Sequence, residues 1–294
     1  MNIQKKLLSL LLALAFISLA ACATKEVQPP PKPARVAVVL GAGASRGFAH
    51  IGVLKILESN GIPVHMLVGT SAGSFVGSLY AYGFNAFQLQ KMALSIEQSD
   101  IIDMTIPDNG FIKGEKLEEY VNSLLKNTPI EKLRLPFYAV ATSLPDGQEV
   151  IFGKGNTGKA VRASCSIPGI FRPARIGEKI YVDGGVVSPV AVDAARRYGA
   201  DIVIAVDISA DRDTKPPEDT IGTILQSVNI MYSKLSAVQT AKADIVIKPK
   251  VGYIGSAEFE KRHEAIMEGE KAALAALPAI QAVISRLRQE KRIE

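Results

Sequence analysis

A serine set two residues from a glycine on either side, Gly69-Thr70-Ser71-Ala72-Gly73, directly follows the apolar run Val64 to Val68. A strand that ends there and turns at once into a helix must reverse within a few residues, and Gly69 and Gly73 carry no Cβ atoms to block so tight a bend. The turn leaves the Ser71 hydroxyl on its crest, where a serine acts as a nucleophile toward acyl carbonyls. Ser74 to Tyr82 is apolar and small enough for a buried helix, whose first N–H groups and positive dipole end would face Ser71. The competing, weaker reading of the pentapeptide alone is a tight glycine turn with an incidental serine.

Such a serine needs donors for its oxyanion and a base for its proton. Gly41-Ala42-Gly43-Ala44-Ser45-Arg46-Gly47 follows the first apolar run and invites comparison with a dinucleotide-binding loop. Its glycines are spaced G-x-G-x-x-x-G rather than G-x-G-x-x-G, and the next strand ends in the serine turn rather than in an acid for a ribose. No Lys-Ser/Thr follows Gly47, which excludes a Walker phosphate loop. A nest of backbone N–H groups fits better, with Gly41, Gly43 and Ala44 as candidate oxyanion donors, Gly43 and Ala44 foremost. Donors of this kind typically lower an acyl-transfer barrier by about 3 to 4 kcal/mol each.

For the base, histidine is the usual choice, and the chain has three. His65 opens a strand just after Pro63 and His50 falls in the first helix, so both read as structural. His263 satisfies the chain order Ser, Asp, His of α/β-hydrolases, yet it stands in Glu260-Lys261-Arg262-His263-Glu264, a charge run of the kind that marks a solvated helix face. Asp183 is the stronger candidate. Lys179 to Val182 reads as a strand and Asp183-Gly184-Gly185 then turns sharply, which sets a carboxylate at a strand's carboxyl end. An Asp-Gly turn without chemistry is the competing reading of those three residues.

The elements that must position these groups alternate along the chain. Strands are expected at Arg35 to Leu40, Val64 to Val68, Phe137 to Thr142, Val150 to Phe152, Lys179 to Val182, Ile202 to Val206 and Ile245 to Lys248. Helices are expected at His50 to Ser59, Gly114 to Lys126, Pro189 to Tyr198, Thr220 to Lys242 and from Ala257 onward. Strands that are apolar throughout and separated by helices imply an α/β fold, a sheet covered on both faces. Reaction sites in such sheets lie at the carboxyl ends of the strands, where both glycine-rich turns fall.

The N-terminus carries a different message. Lys5 and Lys6 precede an apolar stretch from Leu7 to Ala21 that is shorter than the roughly 18 to 20 residues of a spanning helix, so residues 1–21 read as a signal peptide. Leu19-Ala20-Ala21-Cys22 resembles the bacterial lipobox, in which cleavage exposes the cysteine for acylation; Ala23 in place of aspartate points beyond the inner membrane. Residues 22–35 then form a tether, since Pro29, Pro30, Pro31 and Pro33 enforce an extended conformation. At ~3.1 Å per residue it would hold residues 36–294 on the order of 30 Å from a membrane. The expected location is therefore the bacterial cell envelope, lipid-anchored on an outer or periplasm-facing membrane surface.

The net charge of +5 falls to +3 once Lys5 and Lys6 are removed. That mild excess, with no basic stripe interleaved with aromatics, argues against nucleic acid as a partner and allows weak attraction to anionic lipid. Beyond Cys22 the only cysteine is Cys165, so no C-x-x-C or Cys/His metal spacing exists, and Cys165 reads as a small buried hydrophobe. No metal or organic cofactor is called for.

The glycine loop ending in Arg46-Gly47, the serine turn, Ala163-Ser164-Cys165-Ser166-Ile167-Pro168-Gly169-Ile170-Phe171-Arg172-Pro173 and Asp183-Gly184-Gly185 together resemble the patatin-like phospholipases. The resemblance runs from about Val36 to Ala273. It includes Ala243-Asp244-Ile245-Val246-Ile247 and Gly252-Tyr253-Ile254-Gly255, which look like the branch related to neuropathy target esterase. It implies a three-layer α/β/α sandwich with a mostly parallel central sheet, hydrolysis of lipid acyl esters, and a dyad in which Asp183 serves Ser71 directly with no histidine. One departure is that Ala42 interrupts the glycines and Arg46 comes one place later than in the commoner family loop. Two alternatives stay open: an acyltransferase using the same acyl-serine, and a surface lipoprotein without catalysis.

Overall fold

Val36–Leu40, strand β1, is buried along its whole length, and its side chains alternate between two separate cores. Val36, Val38 and Leu40 enter one core, while Ala37 and Val39 enter the other. A strand apolar on both faces needs a covering layer on each side, and the fold supplies both.

The protein is described here from a computed structural model covering residues 3–9, 31–209 and 217–293. The chain divides into two units, Met1–Lys32 and Pro33–Glu294; in the first, residues 3–9 are helical. Cys22, the rest of the expected signal peptide and residues 22–30 of the expected tether lie outside the described residues. Among the described residues, no helix is long and apolar enough to cross a membrane.

The second unit is built on an eight-stranded sheet of order β5-β6-β3-β2-β1-β7-β8, with β4 also paired to β3. The strands are β1, β2 (Met66–Thr70), β3 (Phe137–Ser143), β4 (Glu149–Phe152), β5 (Ala174–Ile176), β6 (Lys179–Asp183), β7 (Ile202–Val206) and β8 (Ile245–Ile247). Pairs β1–β2, β1–β7, β2–β3 and β7–β8 are parallel, whereas β3–β4, β3–β6 and β5–β6 are antiparallel. The sheet is therefore mostly parallel, with an antiparallel margin.

One face is covered by α1 (Phe48–Ser59), α2 (Ala72–Tyr82), α3 (Ala86–Ser95), α4 (Glu115–Leu124) and α5 (Thr157–Ser164), with the long C-terminal helix that packs on α1. The other face is covered by α6 (Val192–Arg197), whose Val192, Ala194 and Ala195 meet Ala37, Val39, Val203 and Ala205. Small residues on that face let the short helix approach closely. Helix α7 (Thr220–Thr240) carries Val228 and Tyr232 against Ala42 and Ile167, beside the glycine loop. The C-terminal helix, α8, spans Arg262–Gln289.

Differences from the sequence reading have local causes. Strand β2 runs to Thr70, two residues beyond Val68, because Thr70 still pairs in register with Val140. Helix α8 starts at Arg262 rather than Ala257, since Phe259–Lys261 forms a separate turn of 3-10 helix. Helices α3 and α5 and strand β5 were not expected; α3 opens with a reciprocal capping box between Asn85 and Gln88, the signal that marks it.

Candidate active site

Ser71 joins β2 to α2 with φ 55° and ψ −125°, a left-handed conformation that costs a non-glycine residue of order 1 to 3 kcal/mol. The surrounding packing holds it there. A Cβ on Gly73 would lie 2.0 Å from the carbonyl oxygen of Leu40, and one on Gly69 would lie 2.5 Å from that of Gly73. The turn thus closes backbone to backbone, and both flanking glycines are required by contact. The Ser71 N–H donates to Ser164 Oγ at 2.8 Å, and the Ser164 hydroxyl donates to the Val140 carbonyl at 2.6 Å. Ser164 thereby ties the strained turn to the neighbouring strand β3.

Asp183 is the last residue of β6 and fully buried. The Ser71 hydroxyl donates to Asp183 Oδ2 at 2.6 Å, and the Gly185 N–H donates to Oδ1 at 2.7 Å. The backbone of Asp183 is fixed as well: its N–H donates to the Ser166 carbonyl at 2.8 Å, and its carbonyl accepts from Thr142 Oγ1 at 2.9 Å. The sequence expectation put both residues at strand carboxyl ends, and so they are, but not at the same edge by parallel alignment. Strand β6 runs antiparallel to β3 and overlaps it only at residues 141–143. Thr70 registers with Val140 and Asp183 with Ala141, so the two side chains face each other across one strand.

Burial pushes the Asp183 carboxyl up to about 6, against the hydrogen bonds from Ser71 and Gly185 and the nearby Tyr232 hydroxyl, all of which favour its anion. It is therefore a far better proton acceptor near neutrality than a solvated aspartate. Burial also raises the Cys165 thiol well above its ordinary range, with the Asp183 charge adding to it, so Cys165 stays a neutral thiol beside Ser74.

The glycine loop requires one correction. Gly41, expected among the oxyanion donors, gives its N–H to the Val206 carbonyl at 3.0 Å, and Ala42 gives its own to Pro189 at 2.9 Å. These bonds continue the sheet beyond β1 and leave Gly41 no free donor. No acceptor is bonded to the amides of Gly43 and Ala44 among the described residues. Buried Arg46 braces the loop through the Ile208 and Ile254 carbonyls and Asn229 Oδ1.

The histidines have other work. His50 is buried with Nε2 donating to the Gly41 carbonyl at 2.8 Å, and desolvation lowers it to about 4, so it is a neutral brace for the loop. His65 accepts the Val36 N–H at Nδ1, and His263 is exposed on the first turn of α8. The bond from Ser71 to Asp183 is direct, with no imidazole between the two side chains.

An apolar cavity of about 210 Å³ opens at this point. Ser71, Ala44 and Cys165 lie on its wall, and it extends between α2, α3 and α4 past Val76, Leu89, Met92 and Leu117. Among the described residues, no cluster of histidine, cysteine, aspartate or glutamate has the grouping of a metal site. Ser164, within Ala163-Ser164-Cys165-Ser166, carries no local sign that it braces the turn, and Tyr232 lies in a helix with nothing nearby in sequence to mark it.

Residues 38–196, from β1 through α6, match the family model described as Patatin-like phospholipase. An uncharacterized NTE family protein of Mycobacterium tuberculosis is 34% identical over 190 residues, covering 62% of this chain and 52% of that protein. Lysophospholipase NTE1 of Pyricularia oryzae is 30% identical over 237 residues, covering 77% of this chain and 16% of that protein. VipD from Legionella pneumophila shares the fold, with a TM-score of 0.57 at 12% identity over 89% of this chain and 73% of its own. The chain thus spans about half, or much less, of the length of these curated relatives. It belongs to the patatin-like phospholipase family.

Proposed function

We propose that the protein is a serine acylhydrolase of lipid acyl esters, of the phospholipase A, lysophospholipase or carboxylesterase type, working through Ser71 and Asp183. The observation that carries this reading is the direct 2.6 Å bond from Ser71 Oγ to a buried carboxylate at the wall of an apolar cavity. The cavity suits an acyl chain, and the family supports a lipid ester as substrate.

In the proposed cycle, ionised Asp183 takes the Ser71 proton as Oγ attacks the ester carbonyl. The N–H groups of Gly43 and Ala44 receive the oxyanion. Collapse expels the alcohol, which leaves with the proton held by Asp183, and the acyl group stays on Ser71. Asp183 then takes a proton from water, whose oxygen attacks the acyl-serine; the fatty acid departs and the proton returns to Ser71. The strained turn keeps Oγ in place through both halves.

The membrane anchor is the second part of the proposal, supported by Leu19-Ala20-Ala21-Cys22 and the prolines that follow. Several acyl chains on Cys22 would hold the enzyme at its substrate, where one chain alone binds marginally. Turnover of a lipid panel by wild type and Ser71→Ala, with fluorophosphonate labelling of Ser71, tests the chemistry. Fatty acid release separates hydrolysis from acyl transfer to an added alcohol. Fractionation of Cys22→Ser and the mass of the mature N-terminus test the anchor independently.

A further inference from the structure

Tyr232, from the middle of α7, is buried with its hydroxyl bonded to nothing among the described residues. An unpaired phenol in an interior is costly, so its placement calls for a reason. Its ring packs against the turn that follows Asp183: a Cβ on Gly185 would sit 2.2 Å from the Tyr232 Cζ and 2.6 Å from its hydroxyl oxygen. Gly185 is the residue whose N–H holds Asp183 Oδ1. The phenol is thus a spare donor beside the one carboxylate of the dyad.

In the resting site Asp183 receives hydrogen bonds from Ser71 and Gly185, and the first of these ends when Ser71 becomes acylated. The carboxylate then has one fewer donor in a fully buried setting, just when it must act as base toward water. We propose that Tyr232 is a positioning residue that donates its hydroxyl to Asp183 in the acyl-enzyme, holding the carboxylate ionised and aimed for deacylation. This rests on the reading of Asp183 as the base. Burial and the facing carboxylate push the phenol itself well above its ordinary range, so it remains a donor at every working pH. The titratable groups facing Asp183 among the described residues are Tyr232 from α7 and Cys165 from the end of α5; the thiol is neutral and leaves the carboxylate's charge to the hydroxyl donors.

The experiment compares wild type, Tyr232→Phe and Asp183→Asn as full-length protein in detergent, with a p-nitrophenyl ester as probe. Tyr232→Phe keeps the ring on Gly185, and an unchanged melting temperature checks the fold. Acylation, read as the burst of p-nitrophenol, should stay within a few-fold of wild type. Deacylation should slow about tenfold near pH 6, its acid limb should move up by about one pH unit, and acyl-Ser71 should accumulate by intact mass. Should Tyr232→Phe misfold, Tyr232→Leu gives the same readouts with a smaller apolar side chain and no hydroxyl donor. A Phe variant whose deacylation rate and acid limb match wild type overturns the inference. Full activity in Asp183→Asn would instead overturn the base assignment beneath it, so the two failures are distinguishable.

Discussion

Ser71 Oγ and Asp183 Oδ2 lie 2.6 Å apart although 112 positions separate them in the chain, and the bond between them is direct. A serine hydrolase with such a pair has no imidazole to lose. Ser71→Ala and Asp183→Asn should each lower kcat/KM by roughly 10³-fold or more, whereas exposed His263→Ala should leave it within about twofold. Steady-state kinetics on a soluble ester checks this; a dead His263 variant with an active Asp183 variant would restore a triad.

Activity should track the ionisation of Asp183. Burial raises its carboxyl to about 6 in the free enzyme, so kcat/KM should climb as pH rises through about 6 and level off above it. A pH profile with an acid limb near 4, the range of a solvated aspartate, would contradict a buried base.

The same burial has a stability sign. The folded carboxyl holds its proton up to about 6, while the unfolded one releases it near 3.9, so the folded state binds more protons between those values. Stability therefore falls as pH rises through that window and stays lower above it, by roughly 3 kcal/mol. Asp183→Asn, which keeps the shape without the charge, should melt higher than wild type at pH 7, and the gap should close near pH 4. Melting curves at both pH values read this directly.

Ser164→Ala removes the acceptor of the Ser71 N–H and the donor to the Val140 carbonyl, both buried. The cost should be about 1 to 3 kcal/mol in urea unfolding. The turn also loses its tie, so kcat should fall while KM changes little. Ser164→Thr, which keeps the hydroxyl, should recover part of both; equal losses in the Ala and Thr variants would count against the brace.

Much of this was legible in residue types. The run Ile202 to Val206 is a strand with the bounds expected, because an apolar β-branched segment with turns on both sides has few alternatives. The serine turn was legible because glycines two residues either side of a serine answer a steric demand that the Leu40 and Gly73 carbonyls now explain. Other features depend on partners far away in sequence. Gly41 is disqualified as a donor only by Val206, and Tyr232 matters only through Gly185. The antiparallel entry of β6 was equally hidden, since a short strand carries no mark of its direction.

Strand β1 lies between β2 and β7, so the middle of the sheet opens with the first strand of the body and closes only when Ile202–Val206 docks against it. The order of synthesis thereby becomes an order of arming. A nascent chain that has passed Ser71 holds a hydroxyl without a base until β6 arrives, and the amide of Gly41 has no acceptor until β7 does. On the proposed mechanism, a chain that ends before β6 has no base for Ser71, and the site is complete only once the chain has been made through Asp183 and Val206.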